Sequence, residues 1–285
     1  MSSDAYQLIL PEERKSSLIF ASPHSGCHYA PEFLSQTVLD RQAIRSSEDA
    51  FVDQLFAAAP RFGAPLLAAV APRAYLDLNR SSEELDPALI AGITRSMNNP
   101  RISSGLGVVP RVVANGRNIY SGKISLREAE RRIDGIWHPY HEKLTQLLEE
   151  SCNMFGQAVL IDCHSMPHEA IEACNKDGDR PDVVLGDRFG AAAGAELMAV
   201  VESAFSRAGL RVARNSPFAG AFTAQHYGRP SRGQHVIQVE IDRSLYMDEQ
   251  AIRPNRNFAE FRALITQVIA EITMHSKGDV QLAAE

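Results

Sequence analysis

Short, wholly apolar runs alternate along this chain with segments whose apolar residues recur every three or four positions, the pattern of buried strands alternating with amphipathic helices. The first run, SLIFA at 17–21, breaks at Ser22-Pro23-His24-Ser25-Gly26, so a buried strand is predicted to hand His24 to a loop. Phe51, Val52, Leu55, Phe56 and Ala59 fall at helical spacing, which puts Glu48 and Asp49 in the first turn of a predicted helix. Extended segments are predicted over 66–70 and 74–78, either side of Pro72, the second running into Asp77-Leu78-Asn79-Arg80. Asn115-Gly116 between VVPRVV and RNIYSG fits a hairpin with a tight primed turn. Ser125 and Glu128 form a capping-box pattern ahead of a long helix that Pro139 should kink or divide.

The second half repeats the alternation. AVLID at 158–162 is a predicted strand that ends at Cys163-His164, 182–185 is another, and a helix through Leu197, Val200, Val201, Ala204 and Phe205 closes at Gly209. Residues 215–233 are rich in glycine, proline and polar residues and read as a candidate active-site loop. HVIQVEI then carries Glu240 near the end of a strand, and a last helix uses Phe258, Phe261, Leu264, Ile265, Val268 and Ile272. No repeat or linker interrupts the 285 residues. The expectation is therefore one α/β domain over 1–285, a central mixed, mostly parallel sheet flanked by helices, with chemistry at the carboxyl ends of its strands.

Composition narrows the function classes. A hydrophobic fraction of 45% and a charged fraction of 22% are those of a globular protein. A net charge of -6 offers no general attraction for nucleic acid or anionic lipid, so an anionic substrate would need local arginines. No apolar run approaches a membrane span and the N-terminus does not read as a signal peptide, which predicts a cytoplasmic protein. Cys27, Cys152, Cys163 and Cys174 form no CxxC pair, as expected of reduced thiols. Oligomeric state is not encoded in any pattern, and a monomer is compatible with all of them.

His24 and His164 at strand ends, with an acid at a helix start, are the residue types of a catalytic zinc site that keeps a position for water. Their separation of 140 residues (164 − 24) carries no motif, and a single histidine at a strand end is more often a loop hydrogen-bonder. Glu240 inside an apolar strand requires a partner: a salt bridge to Arg243, or the solvent and metal of a cleft. Asn79 and Arg80 offer an amide and a guanidinium fork for a carboxylate, or for a surface ion pair.

Seven blocks in order, SPHSG (22–26), EDAFVDQLF (48–56), YLDLNR (75–80), IYSGKIS (119–125), HPYH (138–141), IDCHSMP (161–167) and QVEIDRSLYMDE (238–249), resemble the N-formylglutamate amidohydrolase family over roughly residues 15–265. The resemblance implies a fold similar to the zinc carboxypeptidases and one Zn2+ ion, or another divalent metal, held by His24 and His164 with an acid. It implies Glu240 as the catalytic carboxylate, and Asn79 and Arg80 as contacts to a small anionic substrate. Arg117, Arg243 and His226 join them as candidate substrate contacts, with Arg229, Arg232, His138 and His141 behind. The carboxypeptidase relatives place their acidic ligand three residues after the first histidine, where this chain has Cys27. The acid must come from elsewhere: Asp49 is the choice and Glu48 the alternative. The implied reaction is hydrolysis of N-formyl-L-glutamate, in histidine breakdown. Rival readings are another N-acyl amino acid or peptide, and a metal-free binding protein.

Overall fold

The computed structural model describes residues 5–93, 99–174 and 180–282. Its strands are β1 (Tyr6–Ile9), β2 (Leu18–Ser22), β3 (Leu66–Ala69), β4 (Ile90–Ala91), β5 (Ile124–Ser125), β6 (Ala158–Met166), β7 (Val183–Gly186), β8 (Val212–Arg214), β9 (Gln234–Asp242), β10 (Met247–Asp248) and β11 (Arg253–Pro254). Its helices are α1 (Pro31–Gln36), α2 (Arg41–Arg45), α3 (Val52–Leu55), α4 (Pro100–Ser103), α5 (Leu126–Arg132), α6 (His138–Phe155), α7 (His168–Cys174), α8 (Ala195–Arg207), α9 (Phe222–Tyr227) and α10 (Phe258–Leu282). By Cα proximity the chain falls into two compact units, one of Met1–Gln7, Pro23–Ala50 and Ala68–Lys143, the other of Leu8–Ser22, Phe51–Leu67 and Leu144–Glu285. Among the described residues no helix is long and apolar enough to cross a membrane.

The seven-stranded sheet has the order β1-β3-β2-β6-β9-β7-β8. β6 pairs in parallel with β2 and with β9, β7 runs antiparallel to β9, and β8 runs parallel to β7. This is the mixed, mostly parallel α/β sheet expected. Every residue of β2 and of β6 is buried, as sheets covered on both faces require, which is why both strands begin as apolar runs in the sequence. In the second unit α8 and α10 pack on each other, and α10 packs on α3.

The β6 and β9 register sets up the chemistry. Asp162 is partnered by Gln238 and His164 by Glu240, and residues two apart on a strand share a face. A block of four polar side chains therefore occupies one face of the sheet, and each is 9% exposed or less. Polar groups at that depth are costly unless they are bonded to one another or to a ligand.

In the first unit the local signals hold. Ser125 accepts the Glu128 N–H as the cap of α5, and Asn115 and Gly116 both adopt positive φ in a turn closed by the Val112 and Asn118 bridge. The long helix divides at a π turn over Ile133–Trp137, ahead of Pro139, whose missing N–H cannot continue the ladder. Arg132, fully buried, is satisfied by Glu128, Tyr120, Gln36 and the ring of Tyr75, 4.1 Å from its guanidinium carbon.

Four local expectations are corrected. Asp49 does not lie in the first turn of a helix: Phe51 takes φ +67 and α3 begins only at Val52. Residues 74–78 form no strand, because Tyr75 and Leu76 turn back onto the Pro72 carbonyl. β6 does not stop at Cys163 but runs to Met166, since β9 partners it throughout. Residues 215–233 are not a plain loop, for they contain α9 and a 3-10 turn over Pro230–Arg232.

Candidate metal and catalytic site

β2, paired in parallel with β6 over Leu18–Ala21, ends at Ser22, and the chain reaches His24 two residues later. The loop that follows is tightly seated. A Cβ built on Gly26 would lie 2.1 Å from the Ala71 carbonyl oxygen, and His28 N–H donates to the Val70 carbonyl at 3.1 Å. Only glycine allows that backbone approach. Asp49 is bound to the same loop, since its N–H donates to the His24 carbonyl at 3.0 Å.

His24, Asp49 and His164 are all buried, and one ligand atom from each lies within 4.8 Å of the others. His24 Nδ1 is 3.4 Å from Asp49 Oδ2, while its Nε2 is hydrogen-bonded to Asp77 Oδ1 at 2.7 Å. Donors about 2.0–2.1 Å from a tetrahedral zinc stand roughly 3.3–3.4 Å apart, so the His24 and Asp49 pair has the spacing such an ion needs. Two imidazoles and one carboxylate are also the donor chemistry of catalytic zinc. The group could hold a metal ion.

Carboxylates hold both rings. Asp77 fixes the His24 ring through Nε2, and it is itself held by Arg73 Nε at 3.0 Å and the Asn79 N–H at 2.9 Å. Burial works against its charge, but the guanidinium of Arg73, then His24 and Arg80, outweigh it and keep the carboxyl well below its ordinary pKa. Asp162 Oδ2 lies 3.1 Å from His164 Nε2. Such carboxylate partners orient metal-binding imidazoles and raise their basicity.

Glu240, register partner of His164, accepts a hydrogen bond at Oε1 from Gln238 Nε2 at 2.8 Å. Glu48 is engaged elsewhere: Arg45 grips both its oxygens at 2.9 and 3.0 Å, and the Tyr29 hydroxyl donates at 2.5 Å. That pairing explains its burial without a metal.

The candidate substrate contacts are spread more widely. Arg243 is buried and donates to Ser165 Oγ at 3.1 Å, one residue beyond His164. Arg80 is buried too, but its Nε and Nη1 donate to the carbonyls of Leu106 and Asn79. Arg117 reaches Ser46 Oγ from an exposed position. His226, exposed on α9, stacks on Phe222, and partial burial and Arg229 lower its pKa. Arg229 serves the carbonyls of Gln225 and Gly228, and His141 bonds the Leu78 carbonyl, so both support the backbone.

Sequence reasoning passed over Asp77, Asp162 and Gln238. The signal was present as polar residues inside apolar runs, AYLDL, VLIDCH and VIQVEI, where burial demands a partner.

The profile of the N-formylglutamate amidohydrolase family matches residues 16–247. N-formylglutamate deformylases of Pseudomonas aeruginosa and Pseudomonas putida are 31% and 29% identical to the chain, over 82% and 81% of its length and 83% and 82% of theirs. The crystal structure of an N-formylglutamate amidohydrolase from Ralstonia eutropha JMP134 superposes with a TM-score of 0.91 at 34% identity, covering 96% of this chain and 99% of that one. A gene product of Agrobacterium tumefaciens shares the fold at 14% identity and a TM-score of 0.68, over 100% of this chain and 96% of its own. A profile match across the span that holds His24, Asp49, His164 and Glu240, with relatives covered over most of their length, makes this chain a member of the N-formylglutamate amidohydrolase family.

Proposed function

We propose that this hydrolase cleaves N-formyl-L-glutamate to formate and L-glutamate, using one zinc ion held by His24, Asp49 and His164 and the carboxylate of Glu240 as proton carrier. The buried His24, Asp49 and His164 group carries the reading, in a chain whose family acts on this substrate and whose His164 is paired in register with Glu240. Bound there, zinc supplies Lewis-acid polarisation of the amide and lowers the pKa of water to about 7. Another divalent ion of similar donor preference would serve.

Glu240 takes one proton from the attacking water as its oxygen bonds to the formyl carbon. The C–N bond then breaks and Glu240 returns that proton to the amine nitrogen, so the carboxylate ends as it began. Buried in β9, it meets little competing solvent, and its orientation is set before substrate arrives. Asp77 and Asp162 keep the imidazoles of His24 and His164 in place. The two carboxylates of the substrate call for cationic anchors: Arg243, beside Ser165, is the first, with Asn79, Arg80, Arg117 and His226 as further contacts. The same reading gives a cytoplasmic enzyme of histidine breakdown acting on a small anion.

Formate release from N-formyl-L-glutamate by chelator-treated protein, before and after one equivalent of zinc, tests the proposal, with N-acetyl-Glu, N-succinyl-Glu and N-formyl-Asp in parallel. Restored turnover on the formyl substrate is expected. Zinc uptake without turnover on it refutes the substrate, and Glu240→Gln with a near-normal rate removes Glu240 from the mechanism.

A further inference from the structure

Gln238 is 3% exposed on β9, two residues before Glu240 and on the same face. Its amide orientation is set by its partners. The Ala221 N–H donates to Oε1 at 3.0 Å, and only the oxygen can accept, so Nε2 must face Glu240 Oε1, 2.8 Å away. Ala221 is the residue directly before α9, and no side chain caps that helix. The backbone on its N-terminal side is itself pressed against the end of β7: a Cβ on Gly186 would lie 2.7 Å from Ala219 C and Gly220 N, and Arg188 N–H donates to the Ala219 carbonyl at 2.7 Å. A line of contacts thus runs from β7 through 219–221 to Gln238 and ends on a carboxylate oxygen.

We propose that Gln238 is the positioning residue of the reaction: it fixes the plane of the Glu240 carboxylate and ties that plane to the segment leading into α9. This rests on Glu240 being the proton carrier. Fixing one oxygen and the plane directs the other, and a carboxylate free to rotate would meet the attacking water in the right geometry only part of the time. Gln238 touches no reacting atom. It acts through Glu240, so its removal should slow turnover without weakening substrate capture.

The test is steady-state kinetics of zinc-loaded wild type, Gln238→Met, Glu240→Gln and the double variant, with metal content and thermal unfolding measured on each. For Gln238→Met the expected result is a kcat about ten- to hundredfold lower, as for loss of a hydrogen bond to a charged group, with KM and zinc content within twofold. In the Glu240→Gln background the same change should have no further effect. Gln238→Leu removes the donor without adding a charge beside Glu240, so it should show the same kcat loss if Gln238→Met fails to fold. A wild-type kcat in both variants, or losses that multiply in the double variant, overturns the proposal. A near-normal rate in Glu240→Gln alone would instead refute the role of Glu240.

Discussion

Replacing Asp77 by asparagine changes one atom and tests whether the ring of His24 is held for a metal. Asp77 Oδ1 accepts from His24 Nε2 and from the Asn79 N–H, and Oδ2 accepts from Arg73 Nε. An asparagine must turn its NH2 toward one side or the other. Facing Arg73, it sets two donors against each other at about 3 Å and removes the guanidinium's acceptor. Facing His24, it meets the Asn79 N–H and forces the imidazole into its other tautomer, with the proton on Nδ1, the atom beside Asp49. Either way a donor loses its acceptor at a site 1% exposed, which costs about 1–3 kcal/mol. Loss of a partner of this kind lowers metal affinity about 10–100-fold. Competition against a chromophoric chelator measures zinc affinity, and thermal unfolding of the metal-free proteins separates the fold's share. A folded Asp77→Asn protein that binds zinc within twofold of wild type would show that this contact does not serve the metal.

Gly26→Ala should strip zinc and cut turnover by about a hundredfold, because its Cβ can escape Ala71 only if the loop carrying His24 moves by an ångström or so; metal analysis reads this directly. Gly135→Ala is the control: nothing lies within 4 Å of that Cβ, and the change should keep zinc and turnover. Burial lowers the pKa of His235 from its ordinary 6.5, and its Nδ1 accepts the Gly194 N–H, so the folded chain resists protonation that the unfolded chain accepts. Its stabilising share is complete above pH 6.5 and falls as pH drops through the folded pKa; chemical unfolding at pH 7.5 and 5.5 should show a smaller loss in His235→Gln than in wild type.

The sheet was legible because strands buried on both faces leave predominantly apolar runs, and β2, β6 and β9 appeared as SLIFA, AVLID and HVIQVEI. Segment 74–78 misled for the same reason. Ala74, Leu76 and Leu78 are buried like alternate residues of a strand, yet they belong to turns anchored on Pro72, and periodicity reports burial rather than hydrogen bonding. Helix boundaries failed where backbone geometry overrode pattern. Phe51 adopts a left-handed conformation that an aromatic residue gives no reason to expect, and it separates Asp49 from the helix the spacing implied.

The choice between Glu48 and Asp49 shows what residue identity alone leaves undetermined. Both are acidic, adjacent and buried, and each needs a counter-charge. The structure sorts them by neighbours: Arg45, three residues before Glu48 and at the end of α2, folds back to form a two-pronged pair with it. Asp49 faces the other way because its N–H is fastened to the His24 carbonyl, which sets its carboxylate beside Nδ1 of the same histidine. A carboxylate three residues after His24 would reach a metal by local chain geometry; here that position is the exposed Cys27, and Asp49, the ligand proposed in its stead, is held to His24 from 25 residues on (49 − 24) by one backbone hydrogen bond. The tight seat of Gly26, the Asp49 N–H and the Asp77 carboxylate therefore act on the same histidine. Disturbing any of the three should show first as lost metal and only then as lost catalysis.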